Sequence, residues 1–227
     1  MIQPMMTDAI LLTLKLAAVT TLLLLVLCLP LAHWLSKTQS IIKPFIEAIV
    51  ALPLVLPPTV LGFYLLVWMS PNHLLGQWWI AVFDRPLAFS FAGLVFGSVL
   101  YSLPFVVQPL QRTFEGQSAA LKEAAFTLGA NPWKTFWRIQ FPLARPGLIA
   151  ASVLGFAHTV GEFGVVLMIG GNIPGSTQVL SILLFDQVES SHYQEAHILA
   201  GGLVVTSVIT LFSLYRWNRY ASVRVGA

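Results

Sequence analysis

Five stretches of the chain stay apolar long enough to cross a bilayer, and most polar residues are confined to the segments between them. The stretches run from Ala9 to Trp34, Ala48 to Met69, Leu87 to Gln108, Leu148 to Ile169 and Ile198 to Tyr215. Each reaches roughly 18 residues or more, enough for a helix to cross a hydrocarbon core of about 30 Å. The runs are continuous rather than alternating, which selects helices over barrel strands. No other backbone arrangement satisfies its polar groups in lipid. Lys15 interrupts the first stretch, the third has no charge, and the fourth holds Glu162. A sixth apolar piece, Val179 to Phe185, is too short to span and is expected as an interfacial or re-entrant helix. The pattern predicts an all-α integral membrane protein forming a single domain over residues 1–227. Its spans fall near 9–34, 48–69, 87–108, 148–169 and 198–215.

Composition removes the rival classes. Charged residues make up 9% of the 227, against about 25% in soluble domains. A water-soluble globule of this length needs more charge to cover its surface. The 16 Gly and 14 Pro show no period, which excludes collagen. Residues before the first span carry no Lys or Arg, so that span lacks the basic start of a cleavable leader and is expected to be retained. Cys28 is the sole cysteine, which excludes an intrachain disulfide or a multi-thiolate metal site.

The positions of the charges set an orientation. With the N-terminus outside, ten of the twelve basic residues face the cytoplasm: Lys37, Lys43, Arg112, Lys122, Lys134, Arg138, Arg145, Arg216, Arg219 and Arg224. Only Arg85 lies in an outer segment. The fourth connection, with Asp186, Glu189 and Glu195, has no basic residue. This asymmetry predicts N-out, C-in, and it makes the basic pI a sign of topology rather than of nucleic-acid binding. Lys15, near the outer end of its span, is expected to snorkel.

One connection, Pro109 to Arg145, is long and internally organised. Gln117 to Leu128 reads as a helix, Gly129 sits where a left-handed residue would end it, and Asn131-Pro132 is a paired start signal. The turn from Trp133 to Ile139 is aromatic-rich, and Phe141-Pro142 is expected to end it before the fourth span. Phe126, Leu128, Trp133, Phe136 and Trp137 fall in a segment that should be wet. They either fold back onto the bundle and headgroup region or form a partner-docking surface.

Here the residues resemble a family. Glu123-Ala124-Ala125, three residues, Gly129, nine residues, Ile139, two residues and Pro142 is similar to the "EAA" loop of membrane subunits of binding-protein-dependent ABC importers. The usual Ile-x-Leu-Pro ending is replaced by Ile139-Gln140-Phe141-Pro142, a departure at one apolar position. The resemblance implies a type I importer transmembrane domain whose loop is a coupling helix seated in a separate ATPase subunit. Glu123 would be the charged contact, Ala124 and Ala125 the close-packed face, and Gly129 the elbow.

Within the spans, Pro53, Pro57 and Pro58 mark either a kinked helix or a hinge beside a pathway. Pro104 makes the same case more weakly. Glu162 lies past the middle of its span, where a lone carboxylate costs on the order of 2.5–3.5 kcal/mol and should be partnered. His158 precedes it by four residues, on the same face of a continuous helix. Three readings stand open: a structural His158–Glu162 pair, a gate or path-lining role, and a metal or proton site. Two candidate ligands from one chain make a poor metal site, and none is expected.

Pro53 to Pro58, Gly161-Glu162-Phe163-Gly164 and Asn172-Ile173-Pro174-Gly175 together narrow the resemblance to molybdate permease subunits. What it implies is a homodimer in a bacterial inner membrane, with two ABC ATPase subunits inside and an oxyanion-binding protein outside. Asn172, Ile173, Pro174 and Gly175 would form the receptor-contact loop, and Pro57, Pro58, His158 and Glu162 the path or gate. Tungstate and sulfate or thiosulfate are the alternative substrates. No Gly-x-x-x-x-Gly-Lys-Ser/Thr sequence is present, so ATP and Mg are expected on the partner, with no cofactor and no catalysis on this chain. A proton-coupled carrier using His158 and Glu162 is the rival class.

Overall fold

The computed structural model describes residues 2–225, with side chains described over 5–216. Arg219 and Arg224 of the basic tail therefore lie outside the described side chains. All regular elements among the described residues are helical. They are α1 (Ile2–Lys37), α2 (Lys43–Val55), α3 (Pro58–Met69), α4 (Leu74–Phe83), α5 (Phe91–Glu115), α6 (Ala119–Thr127), α7 (Pro132–Thr135), a π-helical turn (Phe136–Gln140), α8 (Phe141–Gly161), α9 (Gly164–Gly170), α10 (Leu180–Glu189) and α11 (Tyr193–Val225). Four helical rods are long and apolar enough to cross a membrane: 5–37, 91–115, 132–161 and 193–216. The bent pair α2 and α3 makes a fifth span if counted as one.

Packing centres on α1, α5 and α8. Their apolar faces form one core around Leu24, Cys28, Val106, Leu110, Phe114 and Ala151. A second core joins the other ends of α1 and α5 to α3, α9 and α10 through Leu16, Leu94, Leu65, Val165, Ile169 and Ile182. Much of the remaining apolar surface faces outward, as a lipid-solvated bundle requires. Lys15, on the outward side of α1, rests its ammonium over the Phe91 ring at 4.6 Å. That contact holds the cation over a ring face and is compatible with the expected snorkelling.

The span read as 48–69 is two helices meeting at 111°. Leu56 and Pro57 both adopt extended backbone, with ψ of 135° and 134°. Each precedes a proline, whose ring disfavours the helical region for the residue before it. Two such residues in succession make a break rather than a kink.

The span read as 148–169 is also displaced. Its helix begins far earlier and ends at Gly161, so that α7, the π turn and α8 form one 30-residue rod, Pro132–Gly161, about 45 Å long. Phe141-Pro142 does not end the preceding turn. Pro142 cannot donate to the carbonyl of Arg138 and its ring would clash there. The helix responds by widening into a π turn, closed by Phe141 N–H to the Phe136 carbonyl. The third and fifth spans begin and end a few residues from their expected bounds, at α5 and α11. Val179 to Phe185 is the heart of α10, packed on α1, α8 and α11, and α4 is a short helix that the sequence reading did not anticipate.

Candidate functional site

Two sites stand at opposite ends of the 132–161 rod. The first is the elbow formed by α6 and α7. Gly129 has φ +78°, the left-handed conformation that ends α6 without the Cβ strain another residue would meet. Its N–H reaches the Phe126 carbonyl at 2.9 Å, and that of Ala130 reaches the Ala125 carbonyl at 3.0 Å. Asn131 then caps α7, its side-chain oxygen accepting from the Lys134 N–H at 2.8 Å, with Pro132 in the first turn.

The elbow points its apolar residues outward. Leu128 is 87% and Trp133 72% exposed, with Phe126 and Trp137 also exposed. Trp133, Trp137 and Phe141 form a ladder with ring centroids 5.7 and 5.1 Å apart. Glu123 and Ala124 are exposed beside them, whereas Ala125 is buried, with α6 packed on α7. The two alanines therefore do different work: Ala125 seats α6 on its own chain, and Ala124 belongs to the open face. Ile139 and Pro142 lie half-buried farther along the rod. Of the two readings of these apolar residues, folding back onto the bundle holds for Phe136 alone.

The second site is the break at the rod's far end. Glu162 leaves the helix with ψ 131°, and α9 resumes at Gly164. No proline causes this break. It is held by tertiary contacts, the Ser181 hydroxyl of α10 donating to the Glu162 carbonyl at 2.5 Å. Gly164 packs against the start of α3 so closely that a Cβ there would sit 2.7 Å from the Pro58 Cβ. The two broken spans thus meet at their breaks. Between them lies a cleft of about 540 Å³ lined by Pro58, Thr59, Tyr101, His158 and Glu162.

Glu162 is 3% exposed, and neither carboxylate oxygen has a partner at hydrogen-bonding geometry. Its nearest interaction is with the Ser98 hydroxyl of α5. The expected His158–Glu162 pair does not form. The i, i+4 relation needs a continuous helix, and Glu162 is outside it. His158 instead stacks on Phe105 at 3.8 Å and hydrogen-bonds Ser102 Oγ through Nδ1 at 2.8 Å. Ser102, never singled out in the sequence, is the residue that orients His158. Its signal was one of three serines in an apolar span, which is too common to stand out. No group of three or more His, Cys, Asp or Glu that could hold a metal occurs among the described residues.

The loop from Asn172 to Gly175 divides. Ile173, Pro174 and Gly175 are exposed. Asn172 turns inward with φ +55° and donates to both carboxylate oxygens of Asp186 at 3.0 and 2.9 Å. Gln178 donates to Asn172 Oδ1 and to Asp186 Oδ2, both at 2.9 Å. Asn172 therefore anchors α10, and the free surface is the three residues after it.

Broken spans packed on a central bundle, with a helical elbow projecting from one end, define an importer-type transmembrane domain. Solved structures share the fold. The MetNI methionine ABC transporter, in inward-facing conformations, aligns at a TM-score of 0.73, covering 96% of this chain and 97% of that chain at 18% identity. A bacterial ABC transporter for import of the acidic polysaccharide alginate aligns at 0.72, covering 94% and 79% at 19% identity. The chain belongs to the family of binding-protein-dependent transport system inner membrane components, whose model matches residues 25–224. Among curated relatives, the molybdenum transport system permease protein ModB of Azotobacter vinelandii is 58% identical over 93% of this chain and 94% of its own. The protein of the same name from Haemophilus influenzae is 34% identical over 91% of each chain. The sulfate transport system permease protein CysT of Escherichia coli strain K12 is 34% identical over 76% of this chain and 62% of its own. The protein is a multi-pass membrane transport permease.

Proposed function

We propose that the chain is the membrane-spanning subunit of an ATP-driven molybdate importer, acting as a homodimer in a bacterial inner membrane. The observation that carries the substrate is the high identity to the Azotobacter molybdenum permease along nearly the whole chain. The sulfate permease, which is less similar and longer, supports sulfate as the second reading. Two ATPase subunits dock on the elbow. Glu123 and Ala124 meet them at the charged edge, and Phe126, Leu128 and Trp133 supply the apolar anchors. A loaded receptor docks at the opposite end, with Ile173, Pro174 and Gly175 as its contact. The N-terminus lies outside and the C-terminus in the cytoplasm, which the placement of the basic residues supports.

The path runs beside the paired breaks. The cleft has no lysine or arginine in its lining, so affinity for an oxyanion resides in the receptor. Glu162, unpartnered in this state, is the gate residue. It gains or loses partners as the α3 and α9 breaks move, and that difference lets nucleotide and receptor bias one state over the other. This chain performs no chemistry, and ATP with Mg belongs to the partner.

The test is reconstitution of the permease with its ATPase subunits and receptor in vesicles. ATP-dependent uptake of molybdate that sulfate in tenfold excess does not suppress is the expected result. Uptake driven by a proton gradient alone, without ATP or receptor, would overturn the reading.

A further inference from the structure

Besides its packing on α1 and α5 and the ties of His158 and Thr159 to Ser102 near the break, the rod that joins the elbow to Glu162 is held near its elbow end by a polar cluster. Gln140, the last residue of the π turn, is 2% exposed. Its Oε1 meets His33 Nε2 of α1 at 2.7 Å. Its backbone carbonyl accepts from Gln117 Nε2, just beyond the end of α5, at 2.8 Å. The His33 ring is held edge-on by Phe114 of α5 at 5.1 Å and by Phe136 of the π turn at 4.6 Å. Three elements therefore converge on one point of the rod, through directional bonds and aromatic edges.

We infer that His33, Gln140 and Gln117 form the pivot on which the 132–161 rod turns, delivering displacement of the elbow to the Glu162 break. The inference rests on the docking role proposed for the elbow. Gln140 lies eight residues from Pro132 and 21 from Gly161. At 1.5 Å per residue the two arms are about 12 Å and about 32 Å, so a small shift at the elbow becomes a two- to threefold larger one at the break.

Two features set the clamp apart from ordinary packing. Apolar side chains would hold these helices together without desolvating amides, so the buried Gln140 amide, tied to half-buried His33 and Gln117, specifies orientation rather than adhesion. Gln117 Oε1 is also buried without a partner, an acceptor left over in this arrangement. Buried polar atoms are rarely left so. A joint that exchanges donors between two positions leaves one acceptor idle in each.

The experiment compares uptake with ATP hydrolysis in vesicles holding permease, ATPase subunits and receptor. Gln140→Leu and His33→Phe keep volume and remove the polar tie. Both are expected to co-purify with the ATPases at the wild-type ratio and to retain at least half of the hydrolysis. Molybdate imported per ATP should fall at least tenfold. The exchange His33→Gln with Gln140→His restores the pair in reverse and should recover the ratio to within threefold. Gln117→Leu, at a half-buried position that folding tolerates, should lower it at least threefold. An unchanged ratio in Gln140→Leu or Gln117→Leu, or a loss that the exchange does not restore, overturns the pivot. Failure of the wild-type chain to bind ATPases at all overturns the docking reading instead.

Discussion

At one end of the 132–161 rod, Leu128 and Trp133 stand almost fully in the open beside an exposed Glu123. At the other, Glu162 is enclosed with no hydrogen-bonding partner for either carboxylate oxygen. Each end violates the usual sorting of side chains, in opposite senses. The elbow leaves apolar surface exposed, which fits the docking role proposed for it. The break buries a carboxyl group with no hydrogen-bonding partner, which carries a desolvation cost and fits the gating role proposed for it. The elbow is built from local signals, a left-handed glycine and an asparagine cap. The break is built from distant ones, the Ser181 hydroxyl and the approach of Pro58 to Gly164. The elbow is made by a short segment alone, while the break requires elements from across the chain.

Four substitutions test this contrast, in falling order of effect. Glu123→Lys should reduce uptake to background with the permease still inserted, as read by co-purification of the ATPases and by vesicle transport. Normal uptake would detach the elbow from docking. Glu162→Leu should separate stability from function. Removing an unpartnered buried carboxylate should stabilise the chain by about 1–3 kcal/mol, seen as a raised melting temperature in detergent. Uptake should fall at least tenfold, and an unstable but active variant would mean the carboxylate is structural. Gly164→Ala forces a Cβ against Pro58, and overpacking there should cost about 1–3 kcal/mol in the same melting assay. No loss would show that the two breaks are free to separate. Asn131→Ala removes the α7 cap for about 1 kcal/mol, with uptake lowered less than threefold. A larger loss of uptake would place Asn131 on the docking face itself.

The elbow was legible because its determinants are close in sequence. Gly129, Asn131 and Pro132 announce their conformations whatever surrounds them, and the spacing from Glu123 to Pro142 carried the family. What misled was Pro142, read as a terminator. A proline at a helix start and one that follows a π turn look alike along the chain, and the difference is whether the preceding carbonyls can swing clear. The double proline at 57–58 was legible as a break but not as a bend of 111°, since the angle is set by what α3 packs on, namely α9. His158 and Glu162 were found as candidates but paired wrongly. The i, i+4 rule presumes a helix through both residues, and nothing in Gly161-Glu162-Phe163-Gly164 states that the helix stops there.

By itself, then, the sequence determined the membrane class, the number of apolar stretches, the elbow and the candidates for a gate. Those follow from hydropathy and from backbone preferences that act over a few residues. Only the tertiary structure decided that the elbow and the break share one rod, that Glu162 stands apart from His158, and that Gln140 is tied to His33 across 107 positions. The reason is physical. In lipid, with apolar surface on every side, hydropathy cannot say which face of a helix meets which neighbour. That choice falls to shape and to a few buried polar groups, and these find their partners only when distant helices are already side by side.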